Sequence, residues 1–479
     1  MIETLGLWIS RVFRRTAPDP FVLVVLLSLL TVAMALAFGS FPGLARQGGE
    51  PGMGARALAL LDAWSGNEGL WKFLAFGMQM CLMLLTGHAL AATKPVRALI
   101  DRLAGVPRGG ASAAALVGFI ACATALINWG MGLVVGALLA RDVARSMSRR
   151  GIAVHYPLLA AAGYTGLLIW HGGLSGSAPL SMTRLDQAQR VLPKDFLSSL
   201  PDGGASLMVG LDRTLGSAMN LFITLGLLVI IPVMLALLSP RRPQDVVTID
   251  RLAPGMLQPP EPPTDPRDLE APTIPDRLDR SPVLAWAVAI PLGLFLYRAI
   301  DRSGLGMIGL TEITALMMSL GLVLHGSLRR YADAVERGAG DCAGIVIQFP
   351  LYGGILAMMS VSGLAESFSR FMAEQASAGT LPLWTFLAAS VLNMFITSGG
   401  GLWGVQGPIA LQSGLALGVP PEKMVMAVAY GDQVTNMLQP FWALPLLAIT
   451  GVRARDIVGY TCVVMLAAYV WIGLGLVLF

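Results

Sequence analysis

Two runs in the C-terminal third of the chain gather polar and flexible residues inside apolar sequence. Asn393 to Pro408 reads N-M-F-I-T-S-G-G-G-L-W-G-V-Q-G-P, and Tyr430 to Pro445 reads Y-G-D-Q-V-T-N-M-L-Q-P-F-W-A-L-P. Ser398, Gly399, Gly400 and Gly401 offer a hydroxyl and backbone N–H groups that a ligand can approach closely, because glycine has no Cβ. Asn393, Thr397, Gln433 and Asn436 add amides and a second hydroxyl. Donors of this kind suit a carboxylate anion. Asp432, with Thr435 nearby, is the lone carboxylate of the second run, and a carboxylate in apolar surroundings suits a proton or a sodium ion. The bland alternatives are capping by Asn and Ser, tight helix packing at glycine, and an acid held by neighbouring amides.

The first half carries a similar set. Asn128, Trp129 and Gly130 interrupt one apolar run, and His171 to Pro179 (H-G-G-L-S-G-S-A-P) interrupts another, with hydroxyls at Ser175 and Ser177. His171 can change charge near neutral pH, though a hydrogen-bonding role in a polar cavity serves it as well. Trp129, Trp170, Trp403 and Trp442 all stand beside interruptions. They read either as walls of a pocket for a short acyl tail or as packing anchors. Gln79 and Gln348 face either a cavity or a neighbouring helix, and His88 reads as structural. No zinc-ligand spacing, paired catalytic carboxylates or compact Ser/His or Ser/Lys group is present in the sequence. The pattern argues for binding and against an intramembrane enzyme, and no cofactor or metal site is expected.

These residues need an apolar framework. The chain is 55% hydrophobic and 13% charged, against about 25% charged in soluble domains. Many runs reach the roughly 20 residues that span a bilayer. The expected fold is an all-α polytopic membrane protein with about nine spans and two hairpins. Spans are expected near 21–39, 71–92, 216–239, 282–298, 307–325, 341–361 and 457–479. Residues 111–140 and 381–418 read as hairpins, re-entrant or short-spanning, with tips at Asn128 and at Thr397 to Gly401. Residues 157–179 and 423–450 read as helices broken at 171–179 and 431–440. The Pro-, Asp- and Arg-rich stretch 240–281 reads as an extended cytoplasmic linker. It separates a first unit, 1–239, from a second, 282–479, in which the helix at 282–298 is unpaired. Cys81, Cys122, Cys342 and Cys462 read as small buried hydrophobes. The N-terminus lacks the small-residue site of a cleaved signal. No nucleic-acid motif is visible.

Element order repeats between the units: span, span, hairpin, broken helix, span. With the hairpin limbs each returning to one side, the cytoplasmic segments hold 22 of the 33 Lys and Arg residues. That bias places the N-terminus in the cytoplasm and the C-terminus outside. The two units then have opposite orientation. Inverted repeats with interrupted helices are typical of secondary transporters, whose half-helix N-termini hold anions and whose freed carbonyls hold cations.

At these residues the chain resembles the short-chain fatty acid transporter family, the bacterial acetoacetate and butyrate uptake proteins. The runs that carry the resemblance are Pro18-Asp-Pro20, Phe76 to Met80, Thr86 to Ala89, Ile127 to Gly136, Ser175 to Pro179, Gln348 to Pro350, Ser398 to Gly401, Val405 to Pro408 and Gln439 to Pro445. They cover nearly the whole chain. The resemblance implies a multi-pass inner-membrane carrier of short-chain monocarboxylates. It does not imply a coupling ion; symport with sodium or a proton is the expectation from Asp432, and a homo-oligomer is left open. Thr397, Leu402, His171 and Asp432 depart from the family's usual proline, polar residue, glycine and glutamate. Those departures surround the expected site and bear on substrate choice. The rival readings are a carrier of other organic anions and a cation/proton antiporter of similar architecture; a passive channel is a third.

Overall fold

In the computed structural model, residues 2–45, 51–192, 194–200, 202–257, 273–303 and 310–479 are described. All regular structure among them is helical. Seven helices are long and apolar enough to cross a membrane by length and composition. The outer ones expose large apolar side chains, Leu26 and Leu29 on Pro20–Phe38 and Trp286 and Leu294 on Pro282–Ser303. Such surface is stable against lipid chains rather than water.

Helices fall where hydropathy places the spans: Pro20–Phe38, Leu74–Ala91, Ala218–Leu238, Pro282–Ser303, Leu310–His325, Ala343–Val361 and Ala454–Leu478. Of these Leu310–His325 is shorter than a full crossing, and Gly110–Ile127 of the first hairpin completes the seven long ones. The first hairpin is Gly110–Ile127 and Trp129–Arg149, joined at Asn128. Its return limb is longer than the apolar run suggests. It continues through Arg141 and Arg145 because Asp142 pairs with both, Arg145 Nη1 lying 2.7 Å from Asp142 Oδ1. The second hairpin is Leu381–Asn393 and Gly399–Leu417.

The first broken helix comprises Tyr156–Tyr164 and two 3₁₀ turns, Thr165–Leu168 and Trp170–Gly172. Its interruption therefore begins at Thr165, ahead of the expected His171. The second comprises Pro421–Thr435, the 3₁₀ turn Asn436–Leu438 and Pro440–Thr450. Here the interruption starts at Asn436, not at Gly431. Gly431 lies inside a regular helix and serves close packing: a Cβ there would stand 2.5 Å from the Phe386 carbonyl oxygen. Gly166 makes the matching contact, its Cβ falling 2.7 Å from the carbonyl of Ala121.

Two elements were not foreseen as helices. Ile2–Thr16 is amphipathic and packs on the last helix, where Gly459 meets the main chain of Ser10 and Arg14 Nε lies 3.2 Å from Asp456. Residues 181–214 contain short helical pieces, among them Leu185–Val191. The first part of the Pro-rich stretch is docked, not free: Tyr156 N donates to Val247 O (2.8 Å) and Arg145 Nε to Met256 O (2.5 Å). Most of its remainder, 258–272, lies outside the described residues.

Candidate functional site

Hairpin tips and helix breaks converge on one buried cluster. Asn128 caps Trp129–Arg149; its Oδ1 accepts from the N–H groups of Gly130 (2.9 Å) and Met131 (3.1 Å). In the second hairpin that task falls to Ser398, whose Oγ accepts from Gly401 N–H at 3.2 Å. Asn393 does something else. Its Nδ2 lies within donating distance of Asp432 O (2.7 Å), Thr435 Oγ1 (3.0 Å) and Asn436 Oδ1 (3.1 Å). It ties the hairpin to the second break, while the Thr435 hydroxyl also donates to Gly431 O.

The two breaks are stitched to each other. His171 N–H donates to Gln433 Oε1 at 3.0 Å. The Tyr164 hydroxyl reaches the carbonyls of Asn436 (2.8 Å) and Gln439 (3.0 Å), and Asn436 Nδ2 reaches Leu167 O at 3.5 Å. Gln439 Nε2 donates to Asn393 O. These bonds satisfy carbonyls that a broken helix leaves free.

At the centre, His171 Nε2 lies 3.3 Å from Asp432 Oδ1, both side chains nearly inaccessible (1% and 2%). Both Asp432 oxygens, both His171 ring nitrogens, Asn393 Oδ1, Thr397 Oγ1 and Gln433 Nε2 lack an aligned hydrogen-bond partner among the described residues. Buried polar atoms in that state are costly unless a ligand meets them. Gly399 stands against the His171 ring. A Cβ there would lie 3.0 Å from the His171 ring and from Ser177 Oγ, whereas one at Gly400 would meet nothing within 4 Å. Ser175 is committed elsewhere, its Oγ accepting from Trp129 N–H at 3.0 Å.

Three of the four tryptophans gather here. Trp129 is 4.8 Å from Trp442 and 6.1 Å from Trp170 between ring centroids, and Trp170 packs on His171 at 3.6 Å. Phe76 joins at 6.0 Å from Trp442. Trp442 Nε1 donates to Thr397 O at 2.9 Å, fixing the second tip against this wall. Trp403 is buried on Gly407 of its own helix and makes no ring contact among the described residues. Gln348 is buried with Oε1 unpaired, while Gln79 bonds Thr311 on a neighbouring helix. His88 packs beside Gly338. A cavity of about 230 Å³ approaches the second break between Thr16, Pro18, Arg455 and Thr461 on one side and Tyr164 and Gln439 on the other.

Two site residues escape a reading of the sequence. Asn220 donates to Gly172 O at 3.1 Å and accepts from the Tyr430 hydroxyl at 2.9 Å, so a third helix braces the first break. An amide inside the apolar run 216–239 was the available signal. Tyr164 gave none, since tyrosine in an apolar helix is usually packing.

The sequence profile described as "Short chain fatty acid transporter" matches residues 1–479. A relative from Escherichia coli (strain K12) is 37% identical over 484 residues, covering all of both chains. One from Haemophilus influenzae is 33% identical over 481 residues, covering 99% of each. Both bear the name "Putative short-chain fatty acid transporter". The solved YdaH transporter of Alcanivorax borkumensis is 16% identical with a TM-score of 0.41, covering 95% of this chain and 98% of that one. By the full-length profile and the two full-length relatives, with a polytopic helical fold to match, this chain belongs to the short-chain fatty acid transporter family.

Proposed function

We propose that the protein is a secondary active carrier that moves short-chain monocarboxylates, butyrate or acetoacetate among them, across the bacterial inner membrane by alternating access. The observation that carries this reading is the buried cluster in which two helix N-termini, capped at Asn128 and Ser398, meet unpaired polar atoms beside an aromatic wall. The positive ends of Trp129–Arg149 and Gly399–Leu417 favour a carboxylate. Gly399, Gly400 and Thr397 let it approach, and Trp129, Trp170 and Trp442 face its short apolar tail. A cation moves with it, centred on Asp432.

The same reading takes the chain as two inverted units about the linker, with the N-terminus cytoplasmic and the C-terminus periplasmic. Its support is the shared register: Ala121 and Gly166 correspond to Phe386 and Gly431 with one offset (386 − 121 = 431 − 166 = 265), which also relates Asn128 to Asn393 and the helix starts Tyr156 and Pro421. The cavity beside Gln439 is then a route from the cytoplasm. Counterflow of labelled butyrate, acetoacetate and dicarboxylates in proteoliposomes tests the substrate class. Protein-free vesicles must be subtracted, because short undissociated acids cross bilayers unaided. Carrier-dependent exchange of monocarboxylates is expected. Exchange of dicarboxylates alone, or conductance without counterflow, would refute it.

A further inference from the structure

Resting on the carrier reading, we infer that the coupling ion is a proton held by the pair His171–Asp432, which makes transport an electroneutral symport of one proton with one monocarboxylate. His171 Nε2 lies 3.3 Å from Asp432 Oδ1 in a site that solvent scarcely reaches, although the two atoms are not aligned as a hydrogen bond. An aspartate carboxylate beside a neutral imidazole gives the pair one negative charge, and little solvent screens it. A second negative charge, the substrate carboxylate, has to enter the same dry space. A second proton on the pair removes the conflict, leaving neutral His171 beside a protonated Asp432, or their ionic equivalent. All four heteroatoms of the pair lack an aligned partner among the described residues, so an added proton displaces no existing bond.

Sodium is the competing ion, because such cations take oxygen ligands and Asp432 Oδ2, Asn393 Oδ1 and Thr397 Oγ1 are unpaired among the described residues. The imidazole beside Asp432 Oδ1 favours a proton over it, since a nitrogen neighbour suits a hard cation poorly, and the Thr435 hydroxyl is engaged with Asn393 and Gly431. Other titratable groups on the surrounding elements do not compete. Tyr164 and Tyr430 spend their hydroxyl protons on Asn436, Gln439 and Asn220. Cys122 faces Thr165. Glu422 and Lys423 lie in the first turn of the Asp432 helix, and Arg455 and Asp456 in the first turn of the last helix, where Asp456 pairs with Arg14. Tyr156, Tyr460 and Tyr469 lie on helix stretches away from the breaks, and Cys462 is partly exposed. Leading into the cell, the proton enters the pair from outside water with the substrate and leaves to cytoplasmic water with it, so charge and protons balance each cycle. Placing the pair across the two halves explains the coupling: Asp432 comes from one broken helix and His171 from the other, so relative movement of the halves changes the separation that holds the proton.

The test uses the full chain in proteoliposomes, with acetoacetate as probe and protein-free vesicles as background. Carrier-dependent influx should acidify the lumen, read by a trapped pH dye, at about one proton per acetoacetate. It should be insensitive to an imposed potassium diffusion potential and to sodium. Its rate should fall as external pH rises, and Asp432→Asn and His171→Gln should each flatten that pH profile while slowing influx about tenfold or more. Carrier-dependent influx that follows a sodium gradient, or that moves charge without luminal acidification, overturns the inference and leaves the carrier reading standing. Absence of any carrier-dependent flux in folded wild-type protein overturns both. Should either variant fail to fold, the wild-type proton count and potential-insensitivity decide the matter alone.

Discussion

Gly431 rests on the main chain of Phe386, so closely that a Cβ would stand 2.5 Å from its carbonyl oxygen. That contact sets the distance between the second hairpin and the helix carrying Asp432. Backbone cannot yield as a flexible side chain does. Gly431→Ala is therefore expected to lower stability by about 3 kcal/mol or to prevent folding. Gly166→Ala should act similarly through Ala121. Gly400→Ala, with open space around it, should leave thermal unfolding in detergent unchanged. Equal stability of all three variants would show that these glycines do not set helix spacing.

Asn393 presents its amide nitrogen to three oxygens at once. Asn393→Ala would leave those acceptors without their donor, at a cost of about 1–3 kcal/mol. Asn393→Asp replaces the donor with an acceptor and a charge facing the same oxygens. It should be the worse of the two in both unfolding temperature and the apparent KM for uptake. If aspartate is tolerated better than alanine, the amide is not oriented as described.

Much of this was legible in the residues. The hydropathy runs located the spans, because a bilayer imposes a length on every crossing helix. The Gly-rich and Asn-rich interruptions pointed to the buried polar cluster where the tips and breaks meet, because irregular backbone survives in a membrane protein only where it is buried or lines a cavity. What pattern could not supply was which partner each group meets. Asn128 and Asn393 look equivalent in register, yet one caps a helix and the other bridges to a break. Gly431 looked like a helix breaker, and only its contact with Phe386 shows it to be a spacer. Asp432 and His171 were separately suspicious, but their pairing depends on the folding together of two segments 261 residues apart (432 − 171).

Substrate length is expected to depend on Trp129. Its indole closes the wall against Trp442 at 4.8 Å, while its main-chain N–H, not its ring, bonds Ser175. Trp129→Phe shortens the wall without breaking that bond. The relative rate of hexanoate to butyrate exchange should rise about fifteenfold, since each of the two added methylenes gains room worth about 0.8 kcal/mol. Trp442→Phe should lower all rates instead, because it also removes the bond to Thr397. An unchanged chain-length preference in Trp129→Phe would place the acyl tail elsewhere.

His155 provides a pH test at the start of the first broken helix. Val247 N–H donates to its Nδ1 at 3.0 Å, so the neutral ring carries its proton on Nε2 and directs it to the Tyr460 hydroxyl at 2.7 Å. Burial, assisted by the charge of Arg14, holds the imidazole down at about 3, from an ordinary value of 6.5. In the unfolded chain the ring takes a proton below about pH 6.5, while in the fold it does not. The stabilisation is thus fully present above that pH and is lost progressively as pH falls from 6.5 toward 3. Between pH 7 and pH 5 the wild type should lose about 2 kcal/mol through this residue, read as a falling unfolding temperature in detergent. His155→Gln, which cannot titrate, should start less stable and lose less over the same range. Parallel pH profiles for the two proteins would show that His155 is not buried in its neutral form.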